Sequence, residues 1–151
     1  MLVLQEIVTA GAAGAVAINL YLIVSLVWVL HVTTVRALWQ WDAANLLGAA
    51  AFRAGGAVEL VGISLHVAVS LAWAAVFALL LGRNEAVVRQ PIAAGALFGV
   101  VVWAVMQFVV VPLGRAPVPR LTTPGVVNGL IAHAIFFGIP VALVCVRFLR
   151  A

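Results

Sequence analysis

Four long apolar stretches constrain what this chain can fold into more than any other feature. They run from Ile7 to Val32, Leu60 to Gly82, Pro91 to Pro112 and Val126 to Val146. Each is close to the ~20 residues that an α-helix needs to cross ~30 Å of hydrocarbon. Inside lipid a backbone must satisfy its own hydrogen bonds, so each stretch is predicted to be a helix. The sequence therefore predicts one all-α domain over residues 1–151, a bundle of four transmembrane helices.

The composition indicates that lipid is part of the solvent. Hydrophobic residues make up 67% of the chain and charged residues 8%, whereas an ordinary soluble domain is about 25% charged. A small water-soluble domain leaves much of its chain exposed and has no place to hide so much apolar surface. The net charge of +4 comes from arginines at the ends of the apolar stretches, whereas nucleic-acid binding needs a clustered basic face. We expect a lipid bilayer as partner, and no nucleic acid.

A short helix is predicted in the first loop, over Trp39 to Leu47, with Asp42 as its cap and Gly55-Gly56 as its end. Its paired tryptophans, Trp39 and Trp41, are predicted to anchor it at the level of the lipid headgroups. The first loop is therefore predicted to lie at the interface between membrane and water.

The arginines do not decide the orientation in the membrane. Four lie on one side and four on the other: Arg83, Arg89, Arg147 and Arg150 against Arg36, Arg53, Arg115 and Arg120. The positive-inside rule therefore gives a tie. The aromatic first loop favours placing both termini in the cytoplasm.

Two histidines share one depth in the predicted bundle. His66 and His133 lie about two turns into the second and fourth helices, both of which begin on the side of the first and third loops. At 1.5 Å per residue both lie ~10 Å inside the same membrane face. This shared depth is the most informative feature of the chain.

Other polar residues recur at helical spacing near that depth. They are Glu59, Ser70 and Trp73 on the second helix, Trp103 and Gln107 on the third, Tyr21, Ser25 and Trp28 on the first with His31 just beyond, and Asn128 on the fourth. Because polar groups that face lipid are costly, we expect these stripes to face the inside of the bundle. The candidate ligand or proton residues are His66, His133, Glu59, Gln107, Ser70, Asn128 and His31.

Several interpretations of the histidines stay open. Each can be a neutral residue bonded to a neighbour such as Gln107 or Ser25, an interaction that contributes only ~0.6 kcal/mol on average in membranes. His66 and His133 can instead be the axial ligands of a haem b between diagonal helices. Trp28 and Trp103 argue against haem, because bulky residues occupy the level where its edge would lie.

Two further alternatives use the same residues. Glu59, His66, His133 and His31 supply nitrogen and oxygen ligands for zinc or a similar ion, although none has the i, i+4 pairing typical of such sites. A proton path would use them as a relay, since histidine titrates near neutral pH.

Helix packing is predicted at Gly95 and Gly99, which form a GxxxG motif in the third helix. Such a motif lets two helices approach closely, and we expect the contact to lie within the bundle. The single Cys145 is predicted to be a small buried apolar residue.

The last ninety or so residues resemble a group of bacterial four-helix inner-membrane proteins, the YagU-like proteins. The resemblance is carried by His66 and the small and aromatic face that follows it to Phe77, by Gly95, Phe98-Gly99 and Trp103 running into residues 109–114, and by His133 with Gly138. It implies a four-helix fold and a bacterial inner membrane, and gives no catalytic residue.

The sequence predicts a non-enzymatic function, because no serine, cysteine or paired-carboxylate constellation supports catalysis. We expect an accessory or scaffold subunit of a larger membrane complex, with other membrane subunits or a second copy as partner, or a small-ligand-binding bundle. The alternative is a redox or proton-handling subunit that uses His66 and His133.

Overall fold

The computed structural model describes residues 2–118 and 120–150. Within these ranges the chain forms six helices. The four long ones are α1 (Leu2–Leu22, continued by Ile23–Val29), α3 (Ala57–Val76 and Phe77–Leu81), α5 (Pro91–Val105, Met106–Val110 and Val111–Leu113) and α6 (Thr123–Ile131, Ala132–Gly138 and Ile139–Arg150). The short ones are α2 (Val35–Leu47) and α4 (Glu85–Arg89).

The four long helices confirm the predicted all-α membrane bundle. Each contains a segment long and apolar enough to span a bilayer, over Val3–Val29, Ala57–Leu81, Pro91–Leu113 and Thr123–Leu149. The first begins before the predicted Ile7 and therefore includes Glu6. The fourth begins before the predicted Val126, because the Thr122 hydroxyl accepts a hydrogen bond from the Gly125 amide and caps the helix.

The helix of the first loop is confirmed, but its predicted cap is wrong. Helix α2 begins after Thr34, whose hydroxyl accepts a hydrogen bond from the Ala37 amide at 3.1 Å. Asp42 lies in the middle of the helix, so its carboxylate is free for another role. The helix ends at Gly48, whose φ of 68° favours glycine, well before Gly55.

Each long helix contains a turn of π-helix, over Ile23–Val29, Phe77–Leu81, Met106–Val110 and Ala132–Gly138. Such turns are rare and often occur at functional sites. Two of them end two residues before a proline, Pro112 in α5 and Pro140 in α6. Proline lacks an N–H and clashes with the carbonyl four residues earlier, so a wider preceding turn relieves the conflict.

Close packing holds α1 against α3 and α6, and α5 against α6. Glycines make the last contact tight: a Cβ on Gly95 would lie 2.6 Å from the carbonyl oxygen of Gly138, and a Cβ on Gly99 would clash with the backbone of His133. The two glycines of the GxxxG motif therefore face α6 within the bundle. Helices α3 and α5 meet through aromatic side chains, with Phe77 against Phe98 at 5.0 Å between ring centroids.

Candidate functional site: a cavity within the bundle

A cavity of about 690 Å³ lies between the four long helices and α2, in the half of the bundle next to the first loop. Its volume is in the ~300–1,000 Å³ range of small-molecule sites. Aromatic residues form much of its wall: Trp41, Phe52, Trp73, Trp103 and Phe137. Polar residues are interspersed among them: Asn19, Asp42, Asn45, His66, Ser70, Gln107, Asn128 and His133.

Five of the predicted site residues share this cavity: His66, His133, Ser70, Gln107 and Asn128. They come from three different helices. The sequence predicted them from their helical spacing and from their common depth in the bundle. Three of the four π-helical turns contribute to the wall, through Leu26, Met106, Gln107, His133 and Phe137.

The imidazole of His66 is held by helix α2. Its Nδ1 lies 3.3 Å from Oδ2 of Asp42, and the Trp39 ring meets the imidazole edge-on with 6.1 Å between centroids. Helix α2 can approach because Gly62 of α3 has no side chain, and any Cβ there would clash with the Trp39 carbonyl. The Nε2 atom of His66 is buried and has no hydrogen-bond partner among the described residues.

The imidazole of His133 is held by its own helix. Its Nδ1 lies 2.9 Å from the carbonyl oxygen of Gly129, one turn earlier in α6. No hydrogen bond from the described residues reaches its Nε2. Both imidazoles on the cavity wall therefore have Nδ1 occupied by an oxygen acceptor and Nε2 unused. The neighbours that Nδ1 of these histidines faces are Asp42 and the Gly129 carbonyl, rather than Gln107 or Ser25, which the sequence suggested as examples.

Asn128 is oriented by Tyr21, whose hydroxyl donates to Oδ1 of Asn128 at 2.8 Å. The Tyr21 ring stacks on Phe136 with 4.3 Å between centroids, which fixes the hydroxyl.

The prediction that Trp28 shares the inward stripe with Tyr21 is wrong, because Trp28 is 65% exposed on the outside of the bundle. The π-helical turn over Ile23–Val29 changes the helical phase between the two residues. Trp28 therefore does not obstruct a haem inside the bundle, and of the two tryptophans that argued against haem only Trp103 remains.

Glu59 and His31 lie outside the cavity. Glu59 pairs with Arg36 of α2, with Oε1 and Nε 2.9 Å apart, and His31 is exposed with Nδ1 3.0 Å from the Val27 carbonyl. The carboxylate beside His66 is thus Asp42 rather than Glu59. The sequence does contain a signal for Asp42: its helical spacing from Leu38 and Asn45 places all three residues on one face of α2.

Trp39 and Trp41, predicted to anchor α2 at the headgroups, are half-buried against protein. Trp39 contacts His66, and Trp41 lies on the cavity wall against Phe52, with 5.8 Å between ring centroids. Their depth in the membrane stays a prediction.

A second polar cluster, which the sequence did not predict, lies near the opposite end of the bundle. Glu6 is 3% exposed, and its Oε2 lies 3.6 Å from Nη2 of Arg83. Its Oε1 is buried without a partner among the described residues. Cys145, also fully buried, belongs to the adjoining core, as predicted.

The metal alternative is not favoured by the geometry. Among residues 2–118 and 120–150, no three histidine, cysteine or acidic side chains gather as metal ligands. Glu59 and His31 are directed elsewhere, so the four residues suggested by the sequence do not form a group.

Fold and cavity together define a four-helix integral membrane protein with a ligand-sized cavity in one half of its bundle. Comparison of the chain with protein-family models, with curated proteins and with solved structures finds no match. The YagU-like resemblance, the bacterial inner membrane and the orientation therefore stay predictions.

Proposed function

We propose that this chain is a membrane protein that binds a small, mostly apolar ligand in the cavity between its helices. The observation that carries the proposal is the lining of that cavity: broad aromatic and aliphatic walls with a few converging polar groups. This combination is typical of small-molecule sites. A ligand that partitions into lipid is the kind suited to a cavity formed by membrane-spanning helices.

The two histidines support a binding role for the cavity. A buried polar atom without a partner costs about 1–3 kcal/mol, and Nε2 of His66 is such an atom. Asp42 and the Gly129 carbonyl hold the two rings in place. A ligand with a matching polar group would complete the hydrogen bonds and recover this energy, which makes the arrangement suited to recognition.

Filling the cavity is expected to abolish ligand binding. Val69 of α3 lies on the cavity wall, so Val69→Trp places an indole inside it. Val67 of the same helix is 40% exposed on the outer surface, and Val67→Trp is the matched control. Native mass spectrometry after gentle extraction should detect a bound small molecule on the wild type and on Val67→Trp, and none on Val69→Trp.

The result that contradicts this proposal is equally specific. If the wild type and Val69→Trp carry the same bound molecules in the same amounts, the cavity is not the binding site. If no preparation carries a bound small molecule, the ligand-binding proposal fails.

A haem-carrying redox subunit is the second candidate, favoured by one observation. Histidines that bind metals donate their other ring nitrogen to a carboxylate or a backbone carbonyl. Nδ1 of His66 lies 3.3 Å from the Asp42 carboxylate, and Nδ1 of His133 lies 2.9 Å from the Gly129 carbonyl oxygen. Both would offer Nε2 as axial ligands of a haem b. Trp103 still occupies the cavity wall at this level.

The haem candidate predicts an absorption band that depends on the histidines. A reduced-minus-oxidised spectrum of protein expressed with haem supplied should show an α-band that disappears in His66→Ala and persists in His31→Ala. His31 lies outside the cavity and is the matched control. A flat spectrum of the wild type after reconstitution with haem would eliminate this candidate.

A further inference from the structure

The acidic side chains of this protein are all engaged, whereas three arginines at the first-loop end of the bundle are not. The chain has four acidic residues, and each carboxylate lies beside one basic side chain: Glu6 beside Arg83, Asp42 beside His66, Glu59 beside Arg36 and Glu85 beside Arg89. Arg53, Arg115 and Arg120 are exposed. No hydrogen bond or ion pair from residues 2–118 and 120–150 reaches their side chains. The protein therefore supplies no carboxylate for these three charges.

These three arginines lie just beyond the ends of membrane spans, on one side of the bundle. Arg53 comes shortly before the second span, Arg115 shortly after the third and Arg120 shortly before the fourth. Basic residues at the ends of apolar spans lie at the level of the lipid headgroups. The phosphate groups of lipids are therefore the anions nearest to these side chains.

Contacts between the first and third loops bring Arg53 and Arg115 to one patch of the surface. The Arg115 amide donates to the Asn45 carbonyl at 3.0 Å, which fixes the third loop against the end of α2. Ala51, near Arg53, and Ala116, next to Arg115, are buried in one cluster against α2. Because two long side chains start from this joint backbone support, they can converge on a single anion.

The chemistry of two neighbouring guanidinium groups indicates which lipid suits this patch. Their planar forks match phosphate oxygens in pairs, and two like charges held close together repel unless an anion lies between them. A zwitterionic headgroup brings a cation of its own, whereas an anionic headgroup offsets the repulsion. We infer that Arg53 and Arg115 form a binding site for the phosphate headgroup of an anionic phospholipid, with Arg120 adding attraction from the third loop. None of the three arginines lines the cavity, so this inference is independent of the proposed ligand.

A matched pair of lipids tests the inference. Dioleoylphosphatidylglycerol and dioleoylphosphatidylcholine share their acyl chains and their phosphate and differ in net charge. Each is titrated onto delipidated protein in detergent, and native mass spectrometry gives the affinity of the first bound lipid. Phosphatidylglycerol is expected to bind about tenfold more tightly, because arginines near an anionic headgroup each add a several-fold attraction. Soluble glycerol 3-phosphate has the same phosphate ester without acyl chains and should not displace the lipid.

Two double variants assign the preference to a place on the surface. Arg53→Gln with Arg115→Gln is expected to lower the affinity ratio of the two lipids severalfold. Arg89→Gln with Arg147→Gln removes the same two charges from exposed positions at the opposite end of the bundle and should keep the wild-type ratio. Because both affinities are measured on one preparation, a partly unfolded variant changes the binding capacity and leaves the ratio interpretable.

Each alternative outcome overturns a definite statement. Equal affinities for the two lipids, or no binding of either, reject the anionic-lipid site. A preference that survives Arg53→Gln with Arg115→Gln rejects these two arginines as the recognising groups. An equal loss in both double variants shows attraction to the net charge of the protein and rejects a local site. Displacement of the lipid by glycerol 3-phosphate shows that the patch binds soluble phosphate esters and rejects the lipid as its specific partner.

Discussion

Replacing Gly99 with valine is expected to lower the free energy of unfolding by about 3 kcal/mol, the upper end of typical overpacking costs. A Cβ at this position would clash with the His133 carbonyl oxygen and lie 2.6 Å from the Cα of Ala134. Both are backbone atoms of another helix and cannot rotate away. Helices α5 and α6 must therefore separate, and Gly129 and His133 on the cavity wall must move with α6.

The unfolding midpoint in detergent, followed by circular dichroism, measures this effect. Gly55→Val is the control, since no atom lies within 4 Å of a Cβ added there, and substitutions at such positions usually change stability by no more than about 0.5 kcal/mol. Equal midpoints for Gly99→Val and the wild type would show that the close approach of α5 and α6 is not required for stability.

Removing the partner of a buried carboxylate is expected to have the second large effect. Arg83→Leu leaves Glu6, 3% exposed, without the cation that lies 3.6 Å away. We expect a loss of about 1–3 kcal/mol, because a buried charge is left without compensation. Arg89→Leu is the control: Arg89 pairs with Glu85, both side chains are more than two-thirds exposed, and exposed pairs contribute about 0.2–1 kcal/mol.

A double variant distinguishes charge from packing. Glu6→Gln combined with Arg83→Leu removes both charges and should recover most of the stability lost in Arg83→Leu. The recovery will be incomplete, since Arg83 also donates to the Ala78 carbonyl at 2.7 Å. If the double variant is as unstable as Arg83→Leu alone, the burial of the Glu6 charge is not what the arginine offsets.

The four spans were predictable because hydropathy is a property of local sequence. A helix needs only enough consecutive apolar residues to cross lipid, and none of the long helices depends on a distant partner for that. The ends were less predictable. The predicted first span began at Ile7 and so left out Glu6, and a charged residue is costly in lipid. Its partner, Arg83, is 77 positions away in the sequence and makes that position tolerable.

The candidate site was partly predictable for a related reason. His66 and His133 are brought to one cavity by common depth, and Ser70 by its position one turn from His66. Glu59 satisfies the same periodicity, but Arg36 draws its carboxylate away from the cavity. Trp28 also fits the pattern of a regular α-helix, and the π-helical turn in α1 displaces it to the outer surface.

The sequence by itself determined the fold class, the number of membrane spans and most of the polar residues on the cavity wall, because hydropathy and helical repeat are encoded in neighbouring residues. Only the tertiary structure decided that α2 packs onto α3 and brings Asp42 to His66, that Gly99 faces α6, and that Arg83 lies beside Glu6. These contacts join residues far apart in the chain. They depend on how helices pack and where backbones can approach, which no local pattern specifies.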